Sequence, residues 1–370
     1  MSNNTLYNKY RPNNLNDIVG HQKIISELKL RSKNDQFPHT ILLSGPSGLG
    51  KTTLQRIIAK NILCNNKDEN GLSCNSCEIC QSIDNEKISN FYYEYNASNI
   101  TIEESREIAE SAYRKNLSTV KRRVFVIDEL QEMKKSPAAL KNLLKPFESD
   151  IKNVYFILGT MQESDIPTSI KNRCVHYRLK DLTFEEISTC LYTICKKENI
   201  TIDNEDKANT LITIAQNSDG SMRTAISYLE RCIYSDLWDP KTVLDELGIL
   251  SDQTLISIVN KLLTGDVSIF ENDITKEVLE KIRWLLNVLY KQVNGVKINS
   301  YMKSCVSSIK QVPNETIQMT IDKFNKLTYM PYLTQELIDF TVIDILNGNK
   351  TSSTNSQPRV RERKKCGENS

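Results

Sequence analysis

Short continuous apolar runs alternate with helical periodicity through the first 180 residues of the chain, and from there on only the helical period remains. Ile41–Leu43, Phe91–Tyr95, Val124–Ile127, Val154–Leu158 and Val175–Leu179 are brief runs with polar flanks, the pattern of buried strands. Leu54, Ile57, Ile58 and Ile62, following Lys51, fall on one face of a helix. Strands alternating with helices predict an α/β fold built on a parallel sheet. Beyond residue 181, Ile187, Leu191 and Ile194, then Leu211, Ile214 and Ala215, mark a small helical domain. Leu255, Ile258, Val259 and Leu262 open a third segment, also helical. The expected division is 1–180, 181–240 and 241–347. Residues 348–370, rich in Ser, Thr and Asn and carrying Arg359, Arg361, Arg363, Lys364 and Lys365, are expected to be a disordered tail. There are no internal repeats.

Composition narrows the setting. A chain of 370 residues can bury two or three cores. A net charge of +2 confines any nucleic-acid surface to a local patch. No apolar run approaches the length of a membrane helix, and the polar start, Met1 to Thr5, is not a signal peptide. The expectation is a cytoplasmic protein without membrane contact, in which ten cysteines do not form a disulfide framework.

The strongest chemical signal is Gly45-Pro46-Ser47-Gly48-Leu49-Gly50-Lys51-Thr52, with Thr53 next in line. A glycine, four residues and then Gly-Lys-Thr is the phosphate-loop pattern. Backbone N–H groups close around phosphates, the lysine reaches the β- and γ-phosphates, and the hydroxyl ligates Mg²⁺. An ordinary glycine turn is the bland alternative. Against it stand a predicted strand before the loop and a helix N-terminus after it, the arrangement that binds anions.

Asp128-Glu129 closes the apolar run Val124–Ile127. An acidic pair at a strand end completes such a site: Asp128 for the Mg²⁺ shell, Glu129 to orient and deprotonate water. Thr160 ends the next run with a hydroxyl that could polarise that water or sense the γ-phosphate. Arg173 and Arg223 are isolated cations on otherwise apolar or small-residue stretches. A guanidinium can stabilise the charge of phosphoryl transfer, but from spacing alone either arginine is equally a structural ion-pair partner.

Cys64, Cys74, Cys77 and Cys80 form a Cys-x9-Cys-x2-Cys-x2-Cys set in a polar stretch. Four thiolates satisfy a closed tetrahedral zinc site, with an iron–sulfur cluster as the chemical rival. The other six cysteines, Cys174, Cys190, Cys195, Cys232, Cys305 and Cys366, show no ligand spacing and read as mostly buried thiols.

Together with Lys9-Tyr10-Arg11-Pro12 and Asp17-Ile18-Val19-Gly20-His21, these motifs resemble the clamp-loader ATPases of the AAA+ family. The cysteine insert behind an intact phosphate loop narrows the resemblance to the gamma/tau type of bacterial DNA polymerase III, over residues 5–235. The resemblance implies an AAA+ phosphate-loop sheet module with a zinc insert, an α-helical lid and an α-helical collar for oligomerisation. It implies ATP, Mg²⁺ and Zn²⁺ as cofactors. Partners would be other loader subunits in a pentameric ring, a sliding clamp and primer–template DNA, in a bacterial cell or one infected by a phage. Tyr10, Arg11, Pro12, Ile18 and Val19 would line the adenine pocket. Asp128-Glu129 would be the Walker B pair and Thr160 the first sensor. Arg173 would act on the neighbouring subunit's ATP, and Arg223 in cis as the second sensor. Ser98, Thr101 and Arg106 fall where the family's DNA-facing helix begins. The chain departs from the family at Asn172-Arg173-Cys174 (usually Ser-Arg-Cys), at Thr160-Met161 (usually two threonines) and at Leu130-Gln131 (usually Val-His), and a short gamma-like form without the long tau extension is expected. The rivals are another AAA+ machine, such as a helicase loader or a Holliday-junction motor, and a non-catalytic loader scaffold.

Overall fold

The computed structural model describes residues 5–354 except 87–88, 115–120, 248–251, 272–275, 298–302, 304–305 and 329–333. The chain divides into two compact units, Met1–Val243 and Leu244–Ser370.

In the first unit all five expected runs become strands: β1 (Thr40–Ser44), β2 (Tyr92–Asn96), β3 (Arg123–Asp128), β4 (Val154–Thr160) and β5 (Val175–Arg178). They form one sheet of order β2-β3-β4-β1-β5, with every pairing parallel. The inner strands β1, β3 and β4 are covered on both faces, which is why their runs are continuously apolar, whereas the edge strands β2 and β5 carry Glu94, His176 and Arg178. Every residue of β1 is buried. One face packs on α2 (Gln22–Lys33) and α3 (Lys51–Leu63) through Ile25, Leu28, Leu54, Ile57 and Ile58. The other packs on α5 (Ile102–Tyr113) and α6 (Pro137–Glu148) through Ile108, Leu143 and Phe147. On this second side Tyr93 stacks on Phe125 with ring centroids 4.7 Å apart, and Phe125 on Phe156 at 5.2 Å. In register, Asn96 lies beside Asp128 and Ser44 beside Thr160. The polar residues that end four strands therefore share the carboxyl edge of the sheet, where ligands of open parallel sheets bind.

The same unit contains α8 (Phe184–Lys197), α9 (Glu205–Gln216) and α10 (Met222–Ser235). Each begins on a side-chain cap, from Thr183, Asn204 and Ser221 respectively. Such caps satisfy N–H groups that the helix itself leaves unpaired. The predicted apolar faces, Ile187/Leu191/Ile194 and Leu211/Ile214/Ala215, are buried.

The second unit is helical where described: Asp252–Thr264, Lys276–Val293, Asn314–Thr328 and Gln335–Thr354 surround Ile258, Val259, Leu262, Ile282, Leu286, Ile321, Val342 and Ile345. The last helix runs through Thr354, past the expected start of a tail at 348. Its buried Leu346 and the Asn349 amide, which donates to the Leu262 carbonyl at 2.9 Å, hold that end to the core. The basic cluster beyond lies outside the described residues. No described helix is long and apolar enough to cross a membrane.

Candidate functional site

The phosphate loop leaves the edge of β1 and returns as the first turn of α3. At Gly48 the backbone is left-handed (φ 80°), and a Cβ there would come within 2.0 Å of Ser221 Oγ, so glycine lets α10 close on the loop. Pro46 and Ser47 are exposed, whereas Leu49 is buried in the core. Lys51, only 7% exposed, donates to the carbonyls of Gly45 (2.8 Å) and Pro46 (2.7 Å). Burial pulls its pKa below the ordinary lysine value; Asp128 opposes that shift and Arg223 adds to it. An anion entering the loop would meet an ammonium already inside it.

The acidic pair closes the other wall. The Thr52 hydroxyl donates to Asp128 Oδ2 at 2.6 Å, while Asp128 Oδ1 accepts the Glu129 N–H at 2.9 Å. Gly159 makes room for this, because a Cβ there would lie 2.3 Å from Asp128 Oδ1. Glu129 is itself left-handed (φ 54°), and its Oε2 accepts from Asn96 Nδ2 at 2.9 Å. Thr160 is fully buried, and its hydroxyl donates to Gln131 Oε1 at 2.9 Å; the same oxygen accepts the Met161 N–H at 3.1 Å. The hydroxyl expected to face the nucleotide is thus engaged with a glutamine that sequence reasoning noted only as a departure.

Tyr10, Arg11, Pro12 and Val19 line a cleft of about 740 Å³ together with Glu186, Thr189, Cys190 and Lys197 of the α8 region. Ile18 packs against the apolar core instead of lining the cleft. Tyr10 donates to Glu198 at 2.5 Å; burial and that carboxylate together push its pKa up to about 12. Arg11 Nε donates to Thr53 Oγ1 at 3.0 Å. Arg223, on α10, reaches back over the loop: its N–H meets Gly48 O at 3.4 Å and its guanidinium meets Tyr7. Arg173 stands elsewhere, half-exposed and paired with Glu148 at 3.0 Å. Beside it the Cys174 thiol is pushed up to about 12 by burial.

Ser98, Thr101 and Arg106 are all exposed around the start of α5. Thr101 caps that helix in a reciprocal box with Glu104, and Ser98 donates through both N–H and hydroxyl to Asn96 Oδ1. Asn96 therefore bridges this surface and Glu129.

The four cysteines converge, their Sγ atoms all within 4.8 Å of one another. Cys64 Sγ is 3.6 Å from Cys74 Sγ and 3.9 Å from Cys77 Sγ. A tetrahedron of thiolates around zinc, with Zn–S of about 2.3 Å, has edges of about 3.8 Å, so the cluster fits that ion. The N–H groups of Cys74 and Cys77 point at the sulfurs of Cys64 and Cys74, which suits thiolate charge. The insert is stapled to α3 through Lys60–Asp84 (2.9 Å), Arg56–Glu86 (2.6 Å) and the Ser73 N–H on Asn61 Oδ1 (2.8 Å). Of the remaining cysteines, Cys195 and Cys232 are buried and Cys174 and Cys190 partly so; Cys305 and Cys366 lie outside the described residues.

A helical lid clasping its own phosphate loop over a parallel sheet of this strand order is the design of an AAA+ ATPase module. The family model for the DNA polymerase III delta subunit matches residues 20–183, and that for the RCF1/5-like AAA+ ATPase lid domain matches 189–233. DNA polymerase III subunit gamma of Buchnera aphidicola subsp. Baizongia pistaciae is 30% identical over 335 residues, covering 85% of this chain and 88% of that protein. The same subunit from the Acyrthosiphon pisum subspecies is 32% identical, covering 70% and 71%. The tau subunit of Bacillus subtilis is 33% identical over 63% of this chain and 40% of its own length. The Thermotoga maritima RuvB branch migration motor superposes with a TM-score of 0.48 at 17% identity, covering 82% of this chain and 94% of that one, a likeness too loose to bear on function. The chain belongs to the gamma/tau family of DNA polymerase III subunits, the AAA+ subunits of its clamp loader.

Proposed function

We propose that this chain hydrolyses ATP within a ring of clamp-loader subunits in the bacterial cytoplasm. Binding and hydrolysis would be coupled to opening a sliding clamp and placing it on primer–template DNA. The observation that carries this reading is the closure of the acidic pair on the loop: Thr52 to Asp128 at 2.6 Å, with Glu129 held alongside. A non-catalytic scaffold has no use for that arrangement.

In this reading Lys51 exchanges the loop carbonyls for the β- and γ-phosphates. Thr52 and Asp128 are the residues that would hold Mg²⁺, which neutralises charge developing on the phosphates. Glu129 takes the proton of the attacking water. Arg223 acts in cis from the lid, and Arg173 serves the triphosphate of the neighbouring subunit. Ser98, Thr101 and Arg106 contact template phosphates, where an exposed helix start and a basic side chain position the backbone. The four cysteines hold a structural zinc.

The test is steady-state ATP hydrolysis by the chain with its co-purifying partners, with and without primer–template DNA and the cognate clamp. Stimulation by DNA and clamp together, lost in Lys51→Ala, is the expected result. Turnover indifferent to both would turn the assignment toward another AAA+ role.

A further inference from the structure

The segment before Arg11 is fastened to the lid. The Leu6 N–H donates to Glu230 Oε1 at 2.7 Å, Lys9 pairs with Glu198 at 2.6 Å, and Tyr10 donates to the same carboxylate. Glu230 is on α10 and Glu198 ends α8. One residue later the attachment changes, for Arg11 is bonded to Thr53 in the first turn of α3. Within the stretch fastened to the lid, between Leu6 and Lys9, lies Tyr7. Its ring centroid is 4.9 Å from Arg223 Cζ, and its phenolic oxygen accepts from Arg223 Nη2 at 3.1 Å. Arg223 thus has its backbone against Gly48 and its guanidinium on an aromatic face. The charge of Arg223 is felt at Lys51, which burial already disfavours as a cation. A triphosphate would bring further negative charge to both cations.

We propose that Tyr7 is a positioning residue that holds the Arg223 guanidinium at the mouth of the phosphate loop until a triphosphate takes it, and so sets the preference for ATP over ADP. An exposed cation–π contact is weak, whereas a guanidinium–phosphate bond is charge-assisted and among the stronger polar contacts. The γ-phosphate therefore draws Arg223 off the ring. ADP, which lacks it, leaves Arg223 where it is. Whatever holds Arg223 on Tyr7 is subtracted from the apparent affinity for the triphosphate alone. The inference rests on Arg223 acting in cis, as proposed above.

Affinities of the full chain for Mg²⁺–ATPγS and Mg²⁺–ADP test it, in wild type, Tyr7→Ala, Tyr7→Phe, Arg223→Ala and the Tyr7→Ala/Arg223→Ala double variant. Tyr7→Ala is expected to tighten ATPγS by about two- to fivefold, the size of an exposed cation–π contact, with ADP unchanged. Tyr7→Phe, which keeps the ring and loses the hydroxyl, should give a smaller change. In the Arg223→Ala background the effect of Tyr7→Ala should vanish. A Tyr7→Ala effect equal on both nucleotides, or one that persists without Arg223, would overturn the proposal and leave Tyr7 as packing for the lid. If Arg223→Ala itself leaves the ATPγS-to-ADP ratio unchanged, the cis role of Arg223 fails and the proposal falls with it.

Discussion

The side-chain amide of Asn96 makes two attachments at once: Nδ2 donates to Glu129 Oε2 at 2.9 Å, and Oδ1 accepts from Ser98. The candidate base and the candidate DNA-facing surface are thereby joined through one residue. While Nδ2 holds the carboxylate, one of its two oxygens is engaged. Asn96→Ala should release Glu129 and raise hydrolysis without DNA by about tenfold, the equivalent of a charged hydrogen bond of ~1.5 kcal/mol. Hydrolysis with DNA should change less, so the stimulation ratio falls. A basal rate equal to wild type in a steady-state assay would mean that the bond does not restrain the glutamate.

Arg173 offers a contrast of magnitudes. Its pair with Glu148 is half-exposed, and such pairs contribute about 0–1 kcal/mol. A supplied arginine finger is worth about 10³–10⁵ in rate. Arg173→Ala should leave the melting temperature and ATP binding close to wild type while abolishing DNA-stimulated turnover. Undiminished stimulated turnover would refute the finger assignment.

The cysteine centre makes a prediction about folding. Structural zinc contributes about 10–16 kcal/mol in isolated finger peptides, so even a fraction of that is large for a domain. Cys77→Ser, or extraction with a strong chelator, should lower the melting temperature by several degrees while ATP contacts are spared. Elemental analysis should find one zinc per wild-type chain. Iron in its place, or unchanged melting after full extraction, would exclude a structural zinc.

Thr160 is testable without nucleotide. Its hydroxyl is bonded to Gln131 inside the fold, so Thr160→Val should destabilise the nucleotide-free protein by about 1 kcal/mol, and Thr160→Ser by less. Equal melting of wild type and Thr160→Val would show that the hydroxyl's bonds to Gln131 and to the Gln162 backbone contribute nothing to the nucleotide-free fold.

The frame of the molecule was legible because it is local. A continuous apolar run can be recognised as a buried strand from its own residues, and Gly48 to Thr52 carry their chemistry within one turn of chain. The cysteines were legible because thiols two residues apart in a polar stretch have few other uses. What escaped was long-range pairing. Tyr7 and Arg223 are 216 residues apart, Thr160 and Gln131 are 29 apart, and Asn96 and Glu129 are 33 apart. Ile18, read as a pocket residue, follows the apolar core because an isoleucine at a loop gains more from burial than from a half-open cleft. The end of the chain misled for a related reason. The Ser-, Thr- and Asn-rich composition from 348 on reads as a tail, yet the helix runs through Thr354, with the Asn349 amide on the Leu262 carbonyl.

Helix α3 has thirteen residues and so is about 20 Å long. Lys51 opens it and Cys64 ends it, which puts the proposed seats of the triphosphate and of the zinc at opposite ends of a single rod. The buried Lys60, bonded to Asp84, keeps the far end from swinging free. Any partner that gripped the cysteine insert would therefore hold a handle on a nucleotide it never touched, because tilting a stiff helix at one end displaces the other.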